Sequence, residues 1–267
     1  LKQSNIIYAS QTCGWPNKPL NNLFDMLQAD LTVVNDLPYF YSGVPLPDRF
    51  VLTGPLYSAS GSDASLDPEL QRVFVKRNPT QINLFCTMGS SAKKEFLMEA
   101  VKAITVLPAD LYHAVILVPK AVCPIEEIRP LVTQNPNILI TDRFVPAKLV
   151  NEKADVTICH GGQGTIQTAL SCGCPVVGFA MQPEQQINLD HVVQSGAGLR
   201  IPATRWKKHN ILAAVRKVTT IPAYRENAKK LGDEMGKVDS YQKTANAIWN
   251  FIKSKFDLVE GEEHAGQ

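Results

Sequence analysis

The sequence lacks a long apolar segment, a strong excess of charge of one sign and a recognisable leader. No run of about 18 apolar residues occurs, which argues against an integral membrane span. Its 27 Lys and Arg against 25 Asp and Glu leave a net charge of +2, too little for the basic surface that binds nucleic acids. We therefore expect no nucleic-acid partner. The chain begins with Leu1 instead of Met and has no signal-peptide pattern, so we expect a fragment of a longer protein.

Paired cysteine spacings of the kind found in metal sites are also absent. The six cysteines are dispersed through apolar runs, so no zinc or other metal site is predicted. Several of them fall in predicted buried strands, where free thiols behave as small apolar groups, and this favours a reducing, cytoplasmic location. The six are Cys13, Cys86, Cys123, Cys159, Cys172 and Cys174.

The composition is that of an ordinary globular protein. The chain has 267 residues, of which 45% are hydrophobic and 19% are charged, and this is enough to bury a large core. The length favours two domains or one large α/β domain.

The first part of the chain, residues 1–57, alternates short apolar runs with Pro, Gly and Asn clusters. Three of these runs are predicted to be short strands, at residues 5–9, 29–35 and 50–53. A small polar stretch follows at residues 58–67, with almost nothing to bury. This composition is typical of a linker, so we predict a linker over residues 58–79.

Residues 80–238 alternate buried strands with amphipathic helices. The pattern predicts an α/β domain with a Rossmann-like, doubly wound parallel sheet. The predicted strands are residues 81–87, 113–118, 137–140, 154–159 and 175–180. The predicted helices include residues 92–106, 210–218 and 223–235. We expect a C-terminal helix within residues 239–257 and a frayed tail over residues 258–267.

One segment, residues 159–168, carries the clearest chemistry. It follows a predicted buried strand and opens a predicted helix, which is where a parallel sheet binds its ligands. Its three glycines lack Cβ atoms, so an anion can approach the backbone closely, and the N–H groups of Gly164 and Thr165 point out of the helix N-terminus. His160 can donate a further hydrogen bond. The segment predicts a phosphate-binding loop.

A glycine-rich turn without a ligand, with a structural His160, stays open as an alternative. The common nucleotide motifs do not fit this segment. No Lys-Ser or Lys-Thr pair follows the glycines, and no G-x-G-x-x-G stands at the first strand. ATP hydrolysis and dinucleotide-dependent redox chemistry are therefore disfavoured.

Five short motifs surround this segment in a recognisable order over residues 142–198. They are Phe-Val-Pro at 144–146, the His-Gly-Gly-Gln-Gly-Thr run at 160–165, Gly-Cys-Pro at 173–175, Glu-Gln-Gln-Ile-Asn at 184–188 and Gly-Ala-Gly at 196–198. Together they resemble the donor-binding signature of the UDP-glycosyltransferases, which are glycosyltransferase family 1 enzymes of the GT-B fold and include macrolide, glucuronosyl and plant secondary-product members. The resemblance implies that residues 80–238 are the nucleotide-sugar donor-binding domain.

Residues on both sides of these motifs extend the resemblance. Residues 28–35 and 51–56 are similar to the end of the family's N-terminal domain, and residues 88–91 to the first loop of its C-terminal domain. Residues 1–57 are then an incomplete, remnant end of the acceptor-binding domain, because a Rossmann-like domain needs more chain than this.

The resemblance also implies roles for individual residues. Phe144 would stack on the nucleobase while the backbone of Val145 reads the base edge, although a core position for Phe144 is an alternative. Glu184 and Gln185 would bind hydroxyls of the donor sugar, although without the surrounding motifs a solvated surface pair would be favoured for both. Asn188 is predicted to fix the loop. The diphosphate would contact Ser90, Ser91, His160, Gly164 and Thr165. The further donor-binding residues are Gly89, Gly162, Gln163 and Thr168.

Thr168 departs from the family pattern. Many members carry a Glu at this position that binds both ribose hydroxyls, whereas a threonine hydroxyl makes one such contact at shorter reach. A dTDP donor lacks the 2′-hydroxyl, so the absence of that Glu would weaken its binding least. UDP is the commoner donor in the family, so we place UDP first and dTDP second.

The function implied is donor binding in an inverting, metal-independent glycosyltransferase. Such an enzyme transfers a hexose from a UDP- or dTDP-sugar, such as UDP-glucose, to a hydroxyl of a small-molecule or lipid acceptor. The nucleotide sugar is a substrate, and no resident cofactor is expected. None of the five histidines matches the family's catalytic base, which we expect in the missing N-terminal part, so the chain alone should bind donor but transfer little.

Two other interpretations stay open. In the first, the chain is a natural donor-binding subunit that works with a partner chain. In the second, it is a protein similar to the sugar-nucleotide epimerases. The predicted C-terminal helix carries an apolar stripe that includes Ile248, Trp249 and Ile252. This stripe either packs on the segment 1–57 or stays partly uncovered, which would favour self-association.

Overall fold

The computed structural model describes residues 4–14, 29–57, 65–76, 78–90 and 92–256, with side chains described from residue 7 onward. The chain divides into two compact units. One comprises Leu1–Gly54 together with Asp239–Gln267, and the other is Pro55–Val238. The predicted tail at residues 258–267 lies outside the described residues.

In the described part of the smaller unit, the α-helices are α1 (Ser4–Thr12) and α10 (Ser240–Phe256). Its strands β1 (Thr32–Val34) and β2 (Phe50–Leu52) pair in parallel. The strand predicted at residues 5–9 is wrong, because this run is helical. A short apolar run does not distinguish a strand from a helix by periodicity alone.

The larger unit is built on a six-stranded parallel sheet, and this confirms the predicted fold class. The strands are β3 (Ile82–Thr87), β4 (Tyr112–Leu117), β5 (Ile138–Thr141), β6 (Val156–Cys159), β7 (Val176–Gly178) and β8 (Gly198–Arg200). They lie in the order β5-β4-β3-β6-β7-β8, with all neighbours parallel. Five of these six strands are predicted by the sequence, whereas β8 is not.

Helices cover both faces of this sheet. They are α2 (Pro68–Phe74), α3 (Lys94–Ile104), α4 (Ile125–Val132), α5 (Ala147–Lys153), α6 (Gln163–Ser171), α7 (Pro183–Gln194), α8 (Lys208–Thr220) and α9 (Pro222–Gly236). Helix α3 packs on α8, while α6 packs on α5 and α9. Every residue of β6 and β7 is buried, as expected for strands covered on both faces.

Helix α2 lies where the sequence predicts a linker. The Asp67 carboxylate accepts a hydrogen bond from the Leu70 N–H at 2.9 Å and so caps the helix, and Pro68 occupies its first turn. Leu70, Val73 and Phe74 are buried. The linker prediction is therefore wrong for residues 68–74, and residues 58–64 lie outside the described part of the chain.

The strand order places a crevice between β3 and β6. The chain proceeds outward from β3 through β4 to β5, then returns to β6 on the other side of β3 and proceeds through β7 to β8. The loops that follow β3 and β6 therefore diverge, and ligands bind at such a switch point, outside the carboxyl ends of the strands. Among the described residues, no helix is long and apolar enough to cross a membrane.

Candidate functional site

The loops after β3 and β6 meet around the ring of His160. Gly89 has φ +59°, and a methyl group added there would lie 2.6 Å from His160 Cε1. A methyl group at Gly162 would lie 3.0 Å from the same atom. The imidazole therefore fits between two glycines, and this is a packing reason for Gly89 and Gly162 that the sequence does not reveal.

His160 is buried, yet its Nδ1 has no hydrogen-bond partner in the described part of the chain. Burial lowers the pKa of His160 below its ordinary value, and the negative charge of Glu184 acts in the opposite direction. The imidazole is then uncharged at neutral pH, with one nitrogen as donor and one as acceptor. Because a buried polar atom without a partner is unfavourable, this nitrogen fits a site that a polar ligand completes.

The N-terminus of α6 is open beside this ring. Gly162 is its N-cap and provides no side chain, and the Ile166 N–H makes the first helical bond to the Gly162 carbonyl at 3.0 Å. The N–H groups of Gly164 and Thr165 precede that bond, so neither has a carbonyl partner within the helix. A methyl group at Gly164 would meet nothing within 4 Å. Gly164 therefore puts no side chain in the path of an anion that approaches these N–H groups.

Glu184 lies in the first turn of α7 and faces the start of α6. Its Oε1 accepts hydrogen bonds from the Gln163 N–H at 3.2 Å and from Asn188 Nδ2 at 2.6 Å. Asn188 Nδ2 also donates to the Gly161 carbonyl at 3.0 Å. The prediction that Asn188 fixes this loop is confirmed.

Gln185 points into the protein. Its side chain is buried, and its Oε1 accepts a hydrogen bond from the Met181 N–H at 2.9 Å. The alternative of a solvated surface residue is therefore wrong for Gln185. Its amide nitrogen is the group available to donate to a ligand.

Leu189 holds α7 close to the glycine-rich loop at residues 160–164, here called the glycine loop. The sequence motifs did not indicate a role for Leu189. A methyl group at Gly161, which has φ +84°, would lie 2.7 Å from Leu189 Cδ1, and one at Gly178 would lie 2.5 Å from Leu189 Cδ2. Helical spacing could have identified Leu189, since Val192 follows it three positions later and the two apolar side chains share one face of α7.

The loop after β5 presents an aromatic ring to solvent. Phe144 is 94% exposed, whereas Val145 is buried. The alternative of a core position for Phe144 is therefore wrong. Strand β5 lies two strands from β3, which corresponds to about 10 Å at the usual strand spacing. Phe144 is thus at the same edge of the sheet as His160.

Three predicted site residues remain, Ser90, Ser91 and Thr168. Ser90 is exposed in the turn after β3, and Ser91 lies outside the described residues. Thr168 is buried in α6, and its hydroxyl donates to the Gly164 carbonyl at 2.7 Å. That hydroxyl retains only acceptor capacity for a ligand. Among the residues that the structure describes, no group of three or more His, Cys, Asp or Glu could hold a metal ion.

Two named relatives share most of this chain. The PGL/p-HBAD biosynthesis rhamnosyltransferase of Mycobacterium bovis (strain BCG / Pasteur 1173P2) is 27% identical over 210 residues, which are 78% of this chain and 42% of that protein. The 4'-demethylrebeccamycin synthase of Lentzea aerocolonigenes is 26% identical over 244 residues, which are 88% of this chain and 51% of that protein. The chain thus spans about half the length of these relatives.

A solved structure shares the fold. The glycotransferase of kitacinnamycin superposes with a TM-score of 0.64 at 20% identity, covering 94% of this chain and 66% of that one. The family model described as the erythromycin biosynthesis protein CIII-like, C-terminal domain, matches residues 114–248. This range is half of the chain and includes His160, the start of α6 and Glu184. The chain therefore belongs to the family of erythromycin biosynthesis protein CIII-like C-terminal domains.

Proposed function

We propose that this chain binds the nucleotide-sugar donor of a glycosyltransferase that transfers a hexose to a hydroxyl of a small-molecule or lipid acceptor. One observation carries the proposal: the unpartnered Nδ1 of buried His160 lies beside the open N-terminus of α6 at the switch point of the sheet. A diphosphate supplies the hydrogen-bond acceptors that these groups lack.

The same groups account for how the leaving group would be stabilised. When the sugar–oxygen bond breaks, negative charge grows on the terminal phosphate oxygen of the nucleoside diphosphate. The N–H groups of Gly164 and Thr165 and the imidazole of His160 would donate to that oxygen, aided by the positive end of the α6 dipole. We propose that these donors replace a metal ion, so that the reaction is metal-independent.

The rest of the donor would extend along the carboxyl edge of the sheet. The exposed ring of Phe144 offers a stacking surface for the base, with the backbone of Val145 at its edge. Glu184 and Gln185 would bind the sugar hydroxyls. Thr168 would accept at most one ribose hydroxyl, which keeps UDP first and dTDP second as the proposed nucleotide.

The transfer step requires a group from outside this chain. In an inverting reaction, a general base takes the proton of the acceptor hydroxyl, which attacks the anomeric carbon opposite to the leaving diphosphate. We propose that the base comes from an N-terminal part or a partner chain, and that the reaction is cytoplasmic. Ile248 and Trp249 of α10 are exposed. These apolar side chains support a contact of α10 with the N-terminal part or with a second copy of this chain.

Calorimetric titration tests donor binding directly. The chain is titrated with UDP, dTDP and their glucose conjugates, with and without EDTA. We expect micromolar binding of one nucleotide, unchanged by EDTA. His160→Ala should weaken it by about tenfold or more, the effect of losing a hydrogen bond to a charged group. His209→Ala, at an exposed histidine of α8, is the matched control. Absence of binding to all four ligands would overturn the proposal.

A further inference from the structure

The carboxylate of Glu184 lies where the donor diphosphate is proposed to bind. It accepts the N–H of Gln163, the first residue of α6, at 3.2 Å. It is also the charged group that opposes the effect of burial on the pKa of His160. A fixed negative charge therefore stands next to the donors that would hold the phosphates.

Asn188 keeps this carboxylate in place. The Asn188 side chain is 9% exposed, and its Nδ2 donates to Glu184 Oε1 at 2.6 Å and to the Gly161 carbonyl at 3.0 Å. Both N–H bonds of the amide are thereby used. The amide ties the Glu184 carboxylate to the backbone of the glycine loop, so the charge has a defined position relative to α6.

A fixed carboxylate affects a nucleotide sugar and a nucleoside diphosphate differently. In the nucleotide sugar the terminal phosphate is esterified and bears one negative charge. In the released nucleoside diphosphate that phosphate is no longer esterified and, like a phosphate monoester, carries about 1.5 to 2 negative charges at pH 7. Repulsion by Glu184 is therefore stronger for the product. The sugar conjugate also brings hydroxyl groups that can donate to the carboxylate, whereas the free diphosphate does not.

We propose that Asn188 is a positioning residue that holds Glu184 against α6, and that the Glu184 carboxylate thereby selects the nucleotide sugar over the nucleoside diphosphate. This inference rests on the proposed function. It gives Glu184 a role in product release as well as in sugar binding. The negative charge that the terminal phosphate gains during the reaction is repelled by Glu184, so the product is held more weakly.

The test measures a ratio of dissociation constants. UDP and UDP-glucose, or dTDP and dTDP-glucose if the wild type binds that pair, are titrated into wild type, Glu184→Gln and Asn188→Ala. We expect the ratio of the product Kd to the donor Kd to fall about tenfold in Glu184→Gln, the effect of removing one nearby charge from a partly solvated site. The ratio should fall toward the same value in Asn188→Ala. Glu184→Gln keeps the Asn188 bond to Gly161, so it also controls for a disturbed loop.

Two exposed residues provide matched controls. Gln194→Ala lies on the same helix, and Glu226→Gln removes a carboxylate from α9, and both should leave the ratio unchanged. If both ligands weaken by the same factor in Glu184→Gln and Asn188→Ala, the residues are merely structural and the inference is overturned. If the wild type binds no nucleotide, the proposed function is overturned, and the inference with it.

A second readout needs no ligand. Removing the Glu184 charge should lower the pKa of His160, which NMR titration of the imidazole measures in Glu184→Gln. Asn188→Ala should lower it in the same direction, because the carboxylate loses its anchor, while Gln194→Ala should not change it. A His160 pKa that falls in Glu184→Gln but stays at the wild-type value in Asn188→Ala would overturn the positioning role, whatever the nucleotide titrations show.

Discussion

The two ends of the six-stranded sheet use buried polar groups in opposite ways. At the amino end, Asn83 Nδ2 donates to the carbonyls of Phe74 at 3.1 Å and Lys153 at 2.9 Å, while its Oδ1 accepts from Gln81 at 2.9 Å. At the carboxyl end, His160 Nδ1 is buried and has no partner among the described residues. These polar groups at the amino end are paired within the protein, whereas His160 Nδ1 at the carboxyl end is left for a ligand to complete.

Two histidines make the contrast sharp. Both rings are buried, His113 with 4% and His160 with 7% of its surface exposed. His113 Nδ1 lies 2.7 Å from the Val73 carbonyl, within reach of a ring N–H. The same side chain therefore stabilises the fold at one end and is available for binding at the other. Burial alone does not distinguish these roles, whereas the presence of a protein partner does.

The largest expected effect is a loss of stability at the amino end. Asn83→Ala removes one partner from two buried groups, the Phe74 carbonyl and the Gln81 amide, and from the part-buried Lys153 carbonyl. We expect the free energy of unfolding to fall by about 4 kcal/mol. Urea denaturation measures this. Asn210→Ala, which breaks an exposed bond to the Arg205 carbonyl, should change stability by less than about 1 kcal/mol. Equal effects of the two substitutions would contradict the account that paired polar groups stabilise the amino end.

Replacing each of the two histidines singly with alanine should affect stability in one variant and nucleotide binding in the other. His113→Ala removes the buried hydrogen bond at the Val73 carbonyl, and we expect it to reduce stability by about 2 to 3 kcal/mol without changing nucleotide affinity at temperatures where the protein stays folded. His160→Ala removes no protein hydrogen bond through Nδ1, so stability should change by less than about 1 kcal/mol while nucleotide affinity falls. Denaturation and calorimetry on both variants check this, and the reverse pattern would refute the contrast.

A single added methyl group at the carboxyl end should affect binding without affecting folding. Gly164→Ala places a methyl in open space beside the α6 N–H groups, so it should not destabilise the protein. It should weaken nucleotide binding by about tenfold, because the methyl occupies space that the ligand needs. Gly236→Ala, at a position that is also free of neighbours within 4 Å, is the matched control. Unchanged affinity in Gly164→Ala would place the ligand elsewhere.

The smallest effect concerns pH. Burial holds the pKa of His160 below its ordinary 6.5 in the folded protein, so the unfolded chain binds the proton more readily. Stability should therefore rise with pH through the window between the folded and the ordinary pKa, and be lost as pH falls below about 6.5. His160→Gln should remove this dependence, whereas His209→Gln, at an exposed ring, should retain it. Denaturation at several pH values measures the difference.

The sheet could be predicted from sequence because its strands are apolar throughout. Runs such as Val156–Cys159 are covered on both faces, and this gives each a clear local signal. Strand β8 could not be predicted in this way, since Gly198–Arg200 contains only one large apolar residue. The run at residues 5–9 was assigned to the wrong element because its pattern fits either structure.

The sequence predicts where the candidate site lies along the chain but not its contacts. The glycine-rich loop at residues 160–164 and the helix after it follow from local spacing, and the structure has a helix, α6, starting there. The contact of Gly89 with the His160 ring joins residues 71 positions apart, and the bond from the Gln163 N–H to Glu184 spans 21 positions. Such contacts depend on the strand order, which local patterns do not contain. The exposure of Phe144 was undecided for the same reason.

One measurement tests the contrast between the two ends most directly. NMR spectra of the imidazole rings of His113 and His160 are recorded in one sample of the chain while UDP is added. The account predicts that the His160 resonances shift and that its pKa rises toward its ordinary value or above it when the anion binds, while the His113 resonances stay unchanged. Resonances of His160 that do not respond to UDP, or equal responses of both rings, would contradict the assignment of the carboxyl end as the donor site.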